Sequence, residues 1–538
     1  MKAIINFVII VILFISSIFS LHAQSTEGKD FWLTFGKNHS AVFISSINLQ
    51  IRIASGNQAT EGTFYFTNLE YKHSFSIGAQ QVYTYTLNDE QKQAVYNTTE
   101  GVSNLSIHIE TKDPVTAFAM NYSNAYIEAT NILPVSALGN NYRQISYVPS
   151  NSQYLDAYAV VATEDNTTVL YNGGASQKLN AGQVFYKTSP TDMTGTLIKS
   201  DKPVAFFALN QCAKVPEGYA INDPLIQQLA PIETWGKNFF VPVSNQGKNI
   251  TRIVASQDGT DITQTGGTLL SPTGGQSSLL GLQAGQFVEL EVSIANSGCF
   301  IKSNKPVGIC TYLPSQSYTG SGDPAQCWLP AIEQTTPKTL IAPFLVNAIT
   351  SHYALVSTPT DTKNNTLVSI GDAAPVALNG GSWVDNSTAE MSFYAMPLTN
   401  SSASYLFTNP AGIIVLCYGL GGASSYYYLA GSAMRDLTAA FYVNDFHYLE
   451  IPETFSCTEE IDFRAEIDGL NTSEGSLKWY INGKEEEDAR DQLSWKKSLA
   501  KGVYEIEMWV RFENYETASY TCSLTIEGLW IKIKNVKY

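Results

Sequence analysis

The sequence predicts an all-β protein in which one β-module is repeated four times. The strongest observation is a charged or polar residue followed by proline and a hydrophobic run, which recurs at Asp113-Pro114-Val115, Lys202-Pro203-Val204, Lys305-Pro306-Val307 and Asn409-Pro410-Ala411. Around each copy, apolar and polar residues alternate over short stretches bounded by Gly, Pro, Asn, Asp or Ser, which is typical of strands. No convincing amphipathic helix longer than three turns follows the N-terminal segment.

Each proline belongs to a longer repeated block. A short strand pattern precedes it, and further upstream a glycine opens an alternating run. Before that glycine, apolar arms flank a polar turn, as in residues 160–169 and 253–262, and we predict a hairpin there. Because proline has no backbone donor, we expect Pro114, Pro203 and Pro306 at the first residue of a strand. Loops ending in Leu-Pro or Ala-Pro are predicted to link one copy to the next.

We place the four modules at about residues 28–120, 140–212, 234–313 and 336–420, within a repeat region of residues 24–446. A length of roughly 90 to 100 residues suits either a small sandwich domain or a pair of propeller blades. We predict tandem sandwiches, with propeller-like closure as the alternative.

The N-terminal segment predicts export. Residues 1–23 carry Lys2, then an apolar stretch from Ile4 to Phe19, and we expect a secretory signal peptide that is cleaved before Gln24. No second apolar stretch of about 20 residues follows, so no transmembrane span is predicted. The protein is therefore expected to be secreted, periplasmic or on the outer cell surface.

Charge narrows the class of partner. The chain has a net charge of −16, with only 15% charged residues. Binding to nucleic acid calls for clustered Lys and Arg, which are missing, so we exclude nucleic acid as a partner.

The composition changes near His447. Charged residues are about twice as frequent in residues 447–538 as in the whole chain, and we place a domain boundary there. This segment carries Cys457, Trp479 and Cys522 among strand-like runs, and Asn482-Gly483 is a hairpin turn signal. The pattern predicts an Ig-like β-sandwich. Cys457 and Cys522 could form a disulfide, or both could fill the core unpaired.

Other candidate sites are few. Cys310 and Cys417 fall in equivalent late strands and are expected in the core, whereas Cys212, Cys299 and Cys327 lie near loops or strand ends and could pair. Histidines are too far apart to suggest a metal pair. Acidic turns at residues 164–167, 258–261 and 361–364 could hold Ca²⁺, but capping of tight turns explains them better, so no cofactor is predicted. No catalytic residue is predicted either.

Tyrosine offers the only hint of a ligand site. Tyr426, Tyr427 and Tyr428 follow a Gly-rich loop, and a tyrosine ring can present a flat apolar face together with a hydroxyl. These three residues could contact a glycan or protein ligand. The alternative is ordinary packing in a sheet, with alternate rings solvated.

Several segments resemble the N-terminal domain family of IgG Fc-binding protein. They are Gly28-Lys29-Asp30-Phe31-Trp32, residues 202–212, residues 227–231 leading to Trp235-Gly236, and residues 253–256. The resemblance covers roughly residues 26 to 330. It implies a secreted or surface protein, since animal members sit on a secreted mucus protein named for attachment to antibody Fc. This chain has Ile221-Asn222-Asp223 where a second family cysteine would follow Cys212, and it lacks the von Willebrand-type repeats, so Fc binding itself is not carried over.

Together these observations predict an exported, non-enzymatic binding or adhesion protein of a Gram-negative, Bacteroides-like bacterium. Its partner would be a host or cell-surface glycoprotein or glycan, held by loops and exposed aromatic residues. The alternatives are a carbohydrate-active protein, either an accessory sugar binder or a glycosidase, and a structural component of an extracellular assembly.

Overall fold

In the computed structural model of the chain, two units can be separated, and both are built from strands. One is the repeat unit, Ser25–Arg435, and the other is a C-terminal unit that begins at Asp436, before the boundary predicted at residue 447. The described residues are 25–527, apart from 40–43, 124–125, 172, 379–382, 401, 435, 438, 445, 449–450, 452–454, 457–459, 468–469 and 513–516. The predicted signal peptide lies outside them. The predicted all-β class is confirmed.

The repeat unit contains four modules of similar design. Module 1 comprises the strands β1 (Gly28–Leu33), β2 (Phe35–Gly36), β3 (Asn48–Ser55), β4 (Thr60–Phe66), β5 (Lys72–Ile77), β6 (Val82–Thr86), β7 (Tyr96–Asn97), β8 (Gly101–Ser103), β9 (Ile107–Tyr122) and β10 (Ile127–Ile132). Module 2 comprises β11 (Gly139–Arg143), β12 (Asp156–Ala162), β13 (Thr167–Tyr171), β14 (Ala175–Leu179), β15 (Val184–Ser189), β16 (Leu197–Ala213) and β17 (Asp223–Gln228).

The other two modules repeat the plan. Module 3 comprises β18 (Gly236–Val241), β19 (Lys248–Ala255), β20 (Ile262–Thr265), β21 (Gly267–Leu269), β22 (Phe287–Ser293), β23 (Cys299–Leu313) and β24 (Ala325–Leu329). Module 4 comprises β25 (Thr336–Ile341), β26 (Ile349–Pro359), β27 (Leu367–Ile370), β28 (Val376–Ala377), β29 (Val384–Asn386), β30 (Met391–Pro397), β31 (Tyr405–Gly421) and β32 (Ser425–Gly431).

Helices are short. The α-helices are α1 (Asp89–Gln93) and α2 (Gln316–Thr319), and the 3₁₀ helices of the repeat unit are Ile44–Ser46, Val135–Ala137, Ile232–Thr234, Ile294–Asn296, Ile332–Gln334 and Thr360–Asn365. None of the helices in the described part of the chain has the length and apolar character needed to cross a membrane.

Each module is organised around one long strand that serves two sheets. In module 1 the first half of β9 pairs with β1 and β4, and the second half pairs with β3 and β10. The long strands β16, β23 and β31 have the same four kinds of partner. Because the long strand bends between its halves, the two sheets curl toward each other and enclose a core.

The repeated proline lies at this bend, and its predicted position at the start of a strand is wrong. Opposite Pro114 the pairing jumps from Asp30↔Glu110 to Gly28↔Val115, and the same register shift recurs in the other three modules. Four residues of the long strand thus bulge opposite one residue of the first strand. A bulge tolerates proline because the missing N–H has no ladder partner there.

The predicted hairpins are also wrong. The arms β12 and β13 do not pair with each other; β12 pairs with β15 and β16, and β13 pairs with β14 and β16. The two arms therefore lie on different halves of the same long strand. Their polar turn carries the chain from one sheet to the other.

The predicted sandwich modules are present, and their last strands form a ring. Strand β10 lies beside β17 and β32, and β24 lies beside the same two strands. The strands β10, β17 and β24 occupy segments that are predicted from the sequence as linking loops. Modules 1 and 2 share one hydrophobic core, and modules 1 and 4 share another, so the sandwiches are fused rather than strung in a line.

The two ends of the repeat unit complete the ring. The Thr26 backbone N–H donates to the Ser432 carbonyl at 3.1 Å, and the Ser432 N–H donates to Thr26 Oγ1 at 3.1 Å. Ser25 forms a β-bridge with Ala433. Elsewhere in the ring, consecutive modules meet through a glycine that packs on the linker proline: a Cβ on Gly28 would lie 2.3 Å from Pro134 Cβ.

Two buried arginines at equivalent positions cross between modules. Arg52 of β3 faces Phe118, and Arg252 of β19 faces Cys310, at the same height of the long strand. Arg52 donates to the Pro343 carbonyl and lies 5.7 Å from the Phe344 ring of module 4. Arg252 donates to the Ser146 carbonyl at 2.9 Å and lies 3.8 Å from the Tyr147 ring of module 2. Module 1 therefore meets module 4 in the way that module 3 meets module 2.

Arg252 is the more heavily paired of the two. Its side chain is 0% exposed, its Nε lies 2.8 Å from Glu289 Oε2, and its Nη1 lies 2.6 Å from Asp192 Oδ2. Burial acts to lower the pKa of Arg252, but Asp192 and Glu289 outweigh it and raise that pKa well above its usual value. The guanidinium therefore stays charged inside the repeat unit.

The C-terminal unit is a two-sheet sandwich. Its strands are β33 (Ala439–Val443), β34 (Phe446–His447), β35 (Phe455–Ser456), β36 (Ile461–Ile467), β37 (Leu477–Ile481), β38 (Lys484–Glu485), β39 (Ser494–Lys497), β40 (Gly502–Arg511) and β41 (Thr517–Glu527), with a 3₁₀ helix at Glu487–Ala489. One sheet has the order β34-β33-β36-β39 and the other β35-β41-β40-β37-β38. Trp479 of β37 is buried in the core of this unit.

We predict that Arg252→Ala destabilises the repeat unit by about 3–5 kcal/mol, because the buried Glu289 carboxylate would lose its partner. Urea unfolding of the full chain, followed by circular dichroism, measures the change. The control is Lys112→Ala, which breaks an ion pair whose side chains are 71% and 63% exposed and should cost less than about 1 kcal/mol. Equal effects of the two substitutions on the free energy of unfolding would contradict the role of Arg252 as the partner of the buried Glu289 carboxylate.

Candidate functional site

The candidate site lies at one end of the central ring. Hydrogen bonds join its strands at corresponding heights: Gln326 N–H donates to Glu128 Oε1 at 2.8 Å, and Gln228 N–H donates to Thr130 Oγ1 at 2.8 Å. The Asp323 N–H donates to Ser425 Oγ at 2.8 Å, which places the start of β32 beside that of β24, so all four last strands begin at the same end. The connections that lead into β10, β17, β24 and β32 meet there, and we call this end the axial face.

Three acidic side chains lie just inside the axial face. Glu128 is on β10, Asp223 begins β17, and Asp323 precedes β24; their exposures are 1%, 0% and 2%. Burial raises the pKa of Glu128 and of Asp223 well above the usual range, and for Asp223 the nearby Asp323 and Glu128 add to the effect. Burial raises the pKa of Asp323 to about 8. At neutral pH the cluster is therefore mostly protonated.

Several acceptors in this region lack donors. Within the described residues, neither oxygen of Asp223 has a hydrogen-bond partner. The Ile127 N–H acts to lower the pKa of Asp223, but burial and the nearby carboxyl groups outweigh it. Asp323 Oδ1 and Asn38 Oδ1 are likewise buried without a partner in that part of the chain. A buried polar atom without a partner costs about 1–3 kcal/mol. Such atoms concentrated at one place are typical of a site that awaits a ligand or water.

Aromatic rings border the acceptors on the side of modules 1 and 2. The His39 ring lies 4.0 Å from the ring of Tyr126 and 4.6 Å from that of Tyr154, and His39 Nε2 is 2.5 Å from the Tyr154 hydroxyl. Burial lowers the pKa of His39, so the imidazole is neutral at neutral pH. The three rings form a half-buried, uncharged cluster.

A second aromatic pair lies on the side of modules 2 and 3. The Tyr219 and Tyr318 rings are 4.7 Å apart in an edge-to-face arrangement, and Tyr219 is 36% exposed. The loop that carries Tyr219 is fixed to module 3, because Ser315 N–H donates to the Val215 carbonyl and Thr273 Oγ1 donates to Glu217. Tyr219 is thus an exposed ring on a braced loop.

The tyrosines predicted to contact a ligand lie inside the repeat unit, with no surface exposed. Tyr426, Tyr427 and Tyr428 are all 0% exposed on β32, a strand of the central ring. Tyr426 accepts a hydrogen bond from the Phe344 N–H, and Tyr428 donates to the Ala342 carbonyl. The expected alternation of packed and solvated rings does not occur, because both faces of β32 are covered.

The cysteines behave as core residues. Cys310 and Cys417 are buried, as predicted, and Cys212, Cys299 and Cys327 are also buried and unpaired within the described residues. Cys457, the proposed partner of Cys522, lies outside those residues. Cys522 is on β41, opposite Ile506 of β40. Burial raises the pKa of Cys522 to about 12, so its thiol is unreactive at neutral pH.

Two of the acidic turns are bonded to the backbone of another turn, whereas capping of their own backbone was the predicted role. Asp165 Oδ1 accepts a hydrogen bond from the Ala181 N–H at 3.0 Å, and Asp258 Oδ1 accepts the equivalent bond from Ala284 at 2.8 Å. Across the described ranges, no three or more His, Cys, Asp or Glu side chains are grouped so that they could hold a metal ion.

Sequence reasoning missed the axial face because its residues are far apart in the chain. His39, Tyr126, Tyr154 and Tyr219 share no local motif, and only closure of the ring brings them to one end. A partial signal was present. Each of these residues lies in or beside a connection, where binding residues commonly occur.

Comparison with known proteins identifies one family. The family described as IgGFc binding protein matches residues 34–189 and 128–419. The two matches overlap, as expected for a repeated module. None of the curated proteins matches the chain.

Similarity to solved structures is weak. Fibronectin(III)-like modules of Clostridium thermocellum CbhA are 9% identical, with a TM-score of 0.12 over 14% of this chain and 85% of that one. Sidekick-1 immunoglobulin domains 1–5 are 8% identical, with a TM-score of 0.11 over 94% and 100%. A Ca²⁺-stabilised, ice-binding adhesin of an Antarctic bacterium is 12% identical, with a TM-score of 0.12 over 72% and 99%. Scores at this level carry no argument about function.

We predict that the repeat unit loses stability as the pH rises toward 8, and that Asp323→Asn reduces this loss. The folded chain keeps the Asp323 proton up to a pKa of about 8, whereas an unfolded aspartate releases it near 3.8, so the unfolded state binds fewer protons between these values. The free energy of unfolding should therefore fall with pH across this window, by on the order of 5 kcal/mol from this group.

Urea unfolding at pH 5 and pH 9 measures the effect. The difference between the two pH values should be smaller in Asp323→Asn than in the parent chain. Asp372→Asn, at an exposed aspartate of module 4, serves as the matched control and should leave the difference unchanged. An unaltered pH dependence in Asp323→Asn would rule out the buried, protonated state.

Proposed function

Because this chain belongs to the IgGFc binding protein family, we propose that it is an exported binding or adhesion protein whose axial face holds a glycoprotein or glycan. The observation that carries the proposal is the exposed Tyr219 ring on a braced loop, beside buried acceptors that lack donors. Exposed aromatic rings and unmatched polar groups at one place favour recognition of a ligand that has both apolar and hydrogen-bonding surface.

The closed ring supports this role. Four connections from four modules meet at the axial face, and the modules share cores that hold those connections in place. A binding surface that is already rigid loses little conformational entropy when the ligand arrives. The arrangement therefore favours recognition by loops on a fixed β-scaffold.

Burial argues against glycoside hydrolysis at the same face. A glycosidase needs two carboxyl groups that touch the substrate on either side of the scissile bond. Asp223 and Asp323 influence each other's ionisation as such pairs do, but they are 0% and 2% exposed. A glycosidic bond could not be placed between two carboxyl groups that are buried this deeply, so we favour binding without turnover.

The sequence and the family support the proposed export of the protein and the proposed class of partner. The apolar N-terminal segment is consistent with a signal peptide, and the net charge of −16 disfavours nucleic acid. The family name refers to the Fc part of IgG, so native IgG belongs among the test ligands together with mucin-type glycoproteins. Self-association without any ligand would instead favour a structural role in an extracellular assembly.

We predict that the purified chain binds at least one immobilised glycoprotein from this set and that the double substitution Tyr219→Ala/Tyr318→Ala weakens binding about tenfold or more, as expected for loss of exposed aromatic anchors. Surface plasmon resonance measures the dissociation constants. Tyr71→Ala is the matched control. Tyr71 is 45% exposed, but it lies in the β4–β5 turn, beside the start of the long strand β9, whereas the axial face lies beyond the other end of β9.

The products are analysed in the same samples. Bound but unchanged glycoprotein supports the proposal. Released sugar or peptide, abolished by one carboxylate substitution, would replace it with the hydrolase. Equal weakening by Tyr71→Ala and the double substitution would mean that the axial face is not the binding surface.

A further inference from the structure

A small cavity lies beside the axial face, between modules 1 and 2. Its polar lining comes from Lys37, Asn38, Asn121, Glu128 and Asn210, and Leu225 contributes to its apolar part. The cavity volume is about 10 Å³, which is enough for one water-sized group. The cavity is thus too small for a whole ligand but large enough for a single substituent of one.

The lining contains one acceptor that no described group satisfies. Asn38 is 0% exposed; its Nδ2 donates to Asn121 Oδ1 at 3.3 Å, and its Oδ1 has no partner among the described residues. Asn121 Nδ2 is used on the Gly36 carbonyl at 3.0 Å. A group entering the cavity must therefore donate a hydrogen bond to Asn38 Oδ1.

The groups around the cavity favour a neutral substituent. Lys37 in the lining would repel a second cation, and an anion has no hydrogen to donate to Asn38 Oδ1. Glu128 already accepts hydrogen bonds from the N–H groups of Gln326 and Ala129. A hydroxyl can donate to Asn38 and accept from a neighbour such as Lys37, so it matches the lining better than an amine or a carboxylate.

Aromatic residues lie close in the chain to two residues that line the cavity. Asn38 is followed by His39, whose ring stacks with those of Tyr126 and Tyr154, and Tyr126 lies two residues before Glu128. Apolar ring faces therefore lie beside a pocket that accepts one hydroxyl. A molecule with a flat apolar face and hydroxyl groups on its edge fits this combination, and a pyranose ring has both features.

We propose that the cavity receives one hydroxyl of a neutral saccharide, with Asn38 Oδ1 as its acceptor and the cluster of His39, Tyr126 and Tyr154 against the sugar ring. This inference rests on the proposed function and names the part of the glycoprotein that this side of the axial face recognises. It separates the roles of the two aromatic groups: the His39 cluster holds the sugar, whereas Tyr219 and Tyr318 contact the remainder of the ligand.

The test uses saturation-transfer NMR of the full chain with galactose, mannose, fucose and N-acetylglucosamine. At least one sugar should receive saturation, and Asn38→Leu, which fills the cavity and removes the acceptor, should abolish the signal. Tyr154→Ala, at a half-buried position, is the second variant in case Asn38→Leu does not fold, and it should weaken the sugar about tenfold or more. Circular dichroism checks folding, and Tyr71→Ala should leave the signal unchanged.

A second arm separates this inference from the proposed function. If native and enzymatically deglycosylated glycoprotein bind equally well, the axial face recognises protein and the saccharide site is overturned, while the binding function stands. Loss of binding on deglycosylation, together with the effects of Asn38→Leu or Tyr154→Ala, supports the saccharide site. If neither form binds and no sugar receives saturation, the proposed function fails and the inference fails with it.

Discussion

The structure of the repeat unit depends on the buried hydrogen bonds that hold its central strands together. The Gln227 side chain is the clearest case: Nε2 donates to Asn131 Oδ1 at 3.0 Å, and Oε1 accepts from the Trp328 N–H at 3.1 Å. One side chain of module 2 thus connects modules 1 and 3. In a buried environment these groups have no water as an alternative partner, so breaking the bonds is costly and their direction fixes the relative height of the strands.

Closure changes what a repeat means in this chain. In an open array each repeat contacts only its sequence neighbours, and stability is a sum of local terms. Here module 1 shares a core with module 4 as well as with module 2, and Arg52 reaches module 4 as Arg252 reaches module 2. Removing or loosening one module would expose two interfaces instead of one. The repeat unit should therefore respond to damage as a whole, which suits a surface assembled from four separate connections.

The sequence predicted the modules but gave their closure only as an alternative, and the reason is physical. Strand prediction relies on alternation, which arises when one face of a strand is buried and the other is solvated. All six residues of β10 and of β17 are buried, because both faces of the ring strands are covered, so polar residues such as Glu128 and Gln227 interrupt the apolar pattern without marking a solvent face. The repeated proline was visible, but its place in a bulge depends on the strand beside it. The residues of the axial face come together only after closure. The tyrosines of β32, which the sequence made candidates for ligand contact, pack inside the ring.

The ring also explains how the axial face can keep polar atoms unsatisfied. Each buried acceptor without a donor destabilises the fold by about 1–3 kcal/mol, and an isolated module would relieve the cost by rearranging its connection. In the closed ring those connections are fixed from both sides: the Ser425 hydroxyl accepts from the Asp323 N–H, and the Asn222 side chain donates to Ser150. The same contacts that stabilise the scaffold prevent the acceptors from turning toward other donors. Polar groups held in this way remain available to a ligand, so the rigidity of the ring and the capacity of its axial face to bind have one physical origin.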